Sequence, residues 1–182
     1  MPKITEQIQL ILGVQPGIFS SFEDEADLGF RLQQRALVRY QWWPGTLEVI
    51  GGIIYLDRDD IRQLPAGGVI WTPTSDYRIE AIFPTPKVSA RVAWTEATET
   101  WAFVKGEFGG DTWATAPLVP AGASDRLTLG DLRVSLGLEQ KRDGGAGMSA
   151  EVGYVFGRQI SRASGPEADL PATYMLRAIV AF

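Results

Sequence analysis

Arg31, Arg35 and Arg39 recur at a spacing of four residues, and Arg78, Arg91, Lys105, Arg133 and Arg177 follow further along the chain. Guanidinium and ammonium groups gathered on one wall would favour small anionic solutes. Interspersed with them are Glu48, Glu80, Glu107, Asp131, Lys141, Glu139 and Glu151. The same cations could therefore pair with carboxylates and fill the space they face. Gln33, between two of the arginines, belongs to the same candidate wall. The residues alone leave a conducting interior and a closed one both open.

Other chemistry finds little support. The chain has no His and no Cys, which removes the commonest general base and zinc ligand, and with them disulfides and thiolate chemistry. Ser20, Ser21, Ser161 and Ser164 have no His to activate them. Glu80 and Glu107 could do acid–base work, but nothing in the sequence sets their separation. The pairs Gly51-Gly52, Gly67-Gly68 and Gly109-Gly110 are not followed by a helix, so they form no phosphate-binding loop. Glu23-Asp24-Glu25 and Asp57-Arg58-Asp59-Asp60 lack the spacing and glycine of a calcium loop and read as solvated turns. No enzyme, cofactor or metal is expected. A net charge of −5 without a basic stripe argues against nucleic acid.

The elements that must position these side chains are strands, because period-2 alternation runs through almost the whole chain. Leu28, Phe30, Leu32, Ala36, Val38, Tyr40 and Trp42 share one face, and Asp27, Arg31, Gln33, Arg35, Arg39 and Gln41 the other. Leu132, Val134, Leu136 and Leu138 oppose Arg133, Ser135 and Gly137 in the same way. Strands are predicted at 4–14, 28–42, 46–56, 64–72, 76–83, 87–94, 100–109, 127–142, 148–162 and 172–182. Segments 46–56 and 64–72 alternate poorly, with apolar residues or glycine on both faces. The longest apolar run, Leu47 to Leu56, falls well short of the roughly 20 residues of a membrane helix. A bilayer could be crossed only as a closed barrel.

Connection lengths sort by parity. Those at 43–45, 73–75, 95–99 and 143–147 are short and those at 15–26, 57–63, 110–126 and 163–171 are long, with Pro84-Thr85-Pro86 the short exception. Bacterial barrels have this asymmetry, short turns on the periplasmic side and longer loops outside. Trp42, Trp43, Trp71, Trp94 and Trp101 fall at the short-turn end, as an aromatic girdle would, and only Trp113 does not. The last segment alternates as Tyr174, Leu176, Ala178, Val180 and Phe182. A terminal aromatic in this pattern resembles the signal read by the outer-membrane assembly machinery.

The stretches RALVRYQWWP (35–44), GGIIYLDRDDIRQLPAGGVIWTP (51–73), RIEAIFPTPKVSARVAW (78–94), GEFGGDTWA (106–114) and EVGYVFGRQI (151–160) resemble an uncharacterised family of bacterial outer-membrane β-barrel proteins. The resemblance runs from about residue 13 onward and brings no assigned activity. Members of that family carry a signal peptide and further sequence before the region equivalent to Gln15-Pro16-Gly17. This implies a chain that starts within a longer protein, whose complete barrel could have twelve strands.

The expectation is an all-β, antiparallel, up-and-down transmembrane barrel of about ten strands, a single domain over 1–182, in the outer membrane. Its partners would be membrane lipids, lipopolysaccharide and the assembly machinery. The rival expectation is a soluble barrel of the lipocalin type, with the apolar face turned inward around a ligand.

Overall fold

The computed structural model describes residues 4–22, 29–58, 61–116, 125–163 and 165–181. They form one antiparallel sheet of eleven strands and, among the described residues, no helix. The strands are β1 (Ile8–Ile18), β2 (Phe30–Trp43), β3 (Leu47–Tyr55), β4 (Gln63–Thr74), β5 (Tyr77–Phe83), β6 (Lys87–Trp94), β7 (Thr98–Thr115), β8 (Asp125–Arg142), β9 (Gly147–Arg162), β10 (Ala168–Leu170) and β11 (Thr173–Ala181). Each pairs with the next in sequence up to β10, and β11 also pairs with β9. Among the described residues the sheet is not closed: β1 pairs only with β2, and β11 only with β9.

All ten predicted segments are strands, with three differences. The first lies at 8–18 rather than 4–14, extending to Ile18 past Pro16-Gly17. A proline on an edge strand costs no ladder bond when its missing N–H would face outward. β7 continues to Thr115, through what was expected to be a loop from 110, and its ladder with β8 runs from Thr98↔Arg142 to Thr115↔Asp125. Gly109, Gly110 and Asp111 interrupt the alternation there, which hid the strand. An eleventh strand, β10, occupies part of the expected connection 163–171. β10 and β11 pair with successive parts of β9, separated at Pro171-Ala172, where Pro171 has no N–H to give the ladder.

The two faces differ in chemistry. Registered rows cross the sheet, so one row puts Val88, Val104, Leu136, Val152 and Leu176 side by side. These side chains are exposed, Leu136 by 61% and Leu176 by 87%. Phe30, Val38 and Ile53 continue the same exposed face on β2 and β3. Much of the opposite face is buried although it carries the charges: Arg31, Glu48, Asp131, Ser135 and Glu151 are all buried, whereas Arg35 is exposed. Polar groups with apolar ones outside reverse the usual soluble arrangement.

Tight connections at 44–46, 75–76, 95–97 and 143–146 lie at one end of the sheet, and the short connection at 84–86 lies at the other. Three bulges sit toward the tight-turn end, between Gln41 and Trp43, Trp71 and Thr74, and Arg91 and Ala93. Such bulges strengthen local twist and re-aim side chains.

Candidate functional site

The charged face is built by strict alternation: Arg31, Gln33, Arg35 and Arg39 on β2, Lys105 and Glu107 on β7, Asp131 and Arg133 on β8, Glu151 on β9, Arg177 on β11. Its densest part is a six-membered ion-pair network. Arg177 Nη2 donates to Glu107 Oε2 at 2.7 Å, and Arg177 Nε to Glu151. Lys105 Nζ lies 3.1 Å from Glu151 and 3.3 Å from Glu107. Arg133 donates to both oxygens of Asp131, at 2.6 and 3.0 Å, and to Glu107 at 3.2 Å. Ser135 Oγ completes the shell of Glu151 at 3.2 Å.

The network reaches across strands. Glu107 and Arg177 are separated by β8 and β9, three ladder steps or about 14 Å of sheet. Lys87 on β6 likewise reaches Glu139 on β8, over β7, at 2.7 Å. In a single-layer sheet the burial of this face's side chains, with those of the opposite face exposed, comes from a bend toward the charged side. The concave face is therefore the charged one. Small residues make room for the pairs: a Cβ on Gly109 would collide with the Asp131 and Arg133 side chains, and one on Gly137 with the Phe103 ring.

Elsewhere on this face Arg39 forms a bidentate pair with Glu48, at 2.8 and 2.6 Å, and Arg78 pairs with Glu80 at 2.6 Å. Arg91 bonds Asp76 at 2.6 Å and Glu99 at 2.9 Å, with its guanidinium 5.2 Å from the Trp94 ring centre and 5.9 Å from that of Trp101. Lys141 lies 3.8 Å from Glu139 and is more exposed than the rest. Thus most of the charged residues singled out from the sequence are brought together in pairs. Arg31 and Arg35 are not paired to carboxylates in this way. The pair Glu80 and Glu107 engages different cations, Arg78 and Arg177.

Sequence reading missed an apolar strip on this same face. Ile50, Leu64, Ala66 and Ile70, on β3 and β4, are all at most 8% exposed, with Phe103 and Val155 also buried. The poor alternation of β3 and β4 was its only signal, because a strand apolar on both faces shows no period.

The tryptophans divide. The bulge at Trp42 sets Trp43 opposite Leu47, so that both neighbouring indoles are exposed, at 59% and 60%. Trp71 is also exposed, in register with Ile79. Trp101 differs from the girdle expectation: it is 9% exposed, on the charged face, donating from Nε1 to Glu99 at 3.1 Å. Its odd position in β7 places it with Phe103 and Lys105. Trp94, opposite Glu99, is exposed at the rim beside Arg91. Tyr174, Leu176 and Val180 are exposed on the apolar face, while Phe182 lies outside the described residues, as do Asp27, Leu28, Glu23-Asp24-Glu25, Asp59-Asp60 and Ser164.

The end with longer connections is fastened across the sheet. Phe19 accepts from the Ala114 N–H and Ser21 N–H donates to the Ala114 carbonyl, each at 2.9 Å, so the segment after β1 adds to the end of β7. Arg58, 3% exposed, donates to the carbonyls of Gly109 at 3.1 Å and Leu129 at 3.2 Å and lies over the Phe108 ring. Two connections from the β1–β4 side are thereby pinned to β7 and β8.

Among the described residues no group of acidic, His or Cys side chains could hold a metal ion. No protein-family model, curated protein or solved structure matches the chain.

Proposed function

We propose that this chain is the β-barrel of a bacterial outer-membrane protein, a structural barrel whose interior is bridged by ion pairs, leaving at most a narrow path for small solutes. The observation that carries this reading is the sidedness of the sheet. The exposed row through Val104, Leu136 and Val152 belongs to a continuous apolar face. From Leu132 to Leu138 that face runs about 20 Å along β8, or about 15 Å along a membrane normal at the usual tilt, the greater part of the apolar band of roughly 25 Å that such barrels present to lipid. Closure of β1 against β11 would remove both free edges, which a lipid environment does not tolerate.

The concave face supports a narrow or closed interior over a wide pore. Three cations (Lys105, Arg133 and Arg177) and three anions (Glu107, Asp131 and Glu151) cancel across the space between β7 and β11. A lipocalin-type barrel needs an apolar concave face, and here the concave face is the charged one. Membrane lipids and lipopolysaccharide would be its surroundings, and the outer-membrane assembly machinery its partner in insertion.

The test is fractionation after export in a Gram-negative host. The protein should partition with outer membranes, need detergent for extraction, and migrate differently on gels before and after boiling. A cooperative monomer that stays soluble without detergent would end this reading. Planar-bilayer recording then separates a silent barrel from a narrow channel.

A further inference from the structure

We infer that the concave face of β1 and β2 holds a binding site for a small oxyanion of the phosphate class, centred on Arg35. On that face Arg39, Arg78, Arg91, Lys105, Arg133 and Arg177 each reach a carboxylate at 3.1 Å or less. Two cations on β2 depart from that rule. Among the described residues Arg35 has no hydrogen-bond or ion-pair partner. Arg31 is 6% exposed, yet its Nη1 donates only to the main-chain oxygen of Asp57, and its Nε is buried without a partner. The Asp57 carboxylate is turned instead to the Leu32 N–H and the Tyr55 hydroxyl, each at 3.3 Å.

Register places the surroundings. Gly13, Gln15 and Gly17 of β1 stand opposite Arg35, Gln33 and Arg31 of β2. The Arg35 side chain lies over Gly13, in the space a Cβ would take. A cavity of about 210 Å³ is lined here by Gly13, Gln15, Gln33, Arg35 and Ile54, with the backbone neighbours Val14 and Gln34. Two carboxamides can donate N–H groups beside a guanidinium that presents its planar fork, which is the donor set a tetrahedral oxyanion accepts. Among the described residues no carboxylate pairs with the Arg35 guanidinium. Pairing of β1 with β11 would not supply one, because neither strand contains Asp or Glu.

This site rests on the side-chain arrangement of the concave face and deepens the solute-path reading without depending on membrane insertion. The probe is inorganic phosphate, titrated against chloride at constant ionic strength onto the purified protein in whichever fraction it occupies. Binding is followed at the arginine Nε–H signals by NMR and by calorimetry. A parallel arm adds phosphatidylglycerol to the micelles, to tell a lipid phosphate from a free one. Binding in either arm that Arg35→Gln weakens at least tenfold, Arg35→Lys weakens less, and Arg142→Gln leaves unchanged supports the site. Binding in neither arm, or affinity unaltered by Arg35→Gln, overturns it. A soluble protein that binds phosphate through Arg35 would sink the membrane reading alone, and a membrane protein that does not would sink this site alone.

Discussion

Arg177 Nη2 and Glu107 Oε2 meet at 2.7 Å although two strands, β8 and β9, lie between the strands that carry them. The contact joins residues seventy positions apart in sequence. Loss of Glu107 would leave Lys105, Arg133 and Arg177 sharing Glu151 and Asp131. In a double-mutant cycle, Glu107→Gln and Arg177→Gln should couple by about 1–3 kcal/mol, measured by denaturant unfolding in micelles. Strictly additive effects would mean that the two side chains do not meet in solution.

Leu136 and Ser135 are neighbours in β8 with opposite fates, 61% and 3% exposed. If lipid covers the apolar face, Leu136→Arg should cost about 2–4 kcal/mol in refolding into bilayers. Ser135→Ala removes one hydrogen bond to Glu151 and should cost about 1 kcal/mol. A neutral Leu136→Arg variant in lipid vesicles would remove the basis of the sidedness argument.

Trp42, Trp43 and Trp71 are exposed near one end of the sheet, whereas Trp101 is buried against Glu99 and Arg91. Brominated lipids should quench the first three. Replacement of Trp42 or Trp71 by Phe should lower the quenchable fraction, and Trp101→Phe should not. Equal loss on removing Trp101 would place its indole against lipid.

Arg58 ties a connection from the β3–β4 side to the carbonyls of Gly109 and Leu129. Arg58→Ala should cost about 1–3 kcal/mol through the carbonyls it leaves without a charged donor. It should also expose 56–62 to added protease and raise any conductance of the barrel. Unchanged cleavage and unchanged current together would show that the tether closes nothing.

Gly110 has φ near +101°, and a Cβ there would overlap the Leu129 carbonyl oxygen. Gly110→Val should therefore prevent the β7–β8 ladder from forming past Phe108, read as loss of heat-modifiable mobility on gels. Gly45, also at positive φ but with open space around it, should tolerate Asn, a residue that enters this backbone region more readily than most. A fully folded Gly110→Val variant would show that β7 can follow another path there.

The ten longer strands and the order of their faces were legible in the chain, because a strand's period of two writes its sidedness directly into alternate residues; the three-residue β10 was not. Leu136 against Ser135, and Val38 against Arg39, needed no coordinates. Where the period fails, so did the reading: β7 past Gly109-Gly110, and the buried Ile50, Leu64 and Ile70, whose strands are apolar on both sides. The indole of Trp101 was assigned by its position along the strand when its face was the deciding property. Which charge meets which was beyond the sequence altogether. Alternation says that Arg35, Arg133 and Arg177 share a side, but the tertiary structure decides that Arg177 finds Glu107 across two intervening strands, that Arg133 finds Asp131 on its own strand and Glu107 on the next, and that Arg35, over Gly13, finds no carboxylate among the described residues. Curvature is the sum of small twists and bulges over many residues, and no single stretch of chain encodes it.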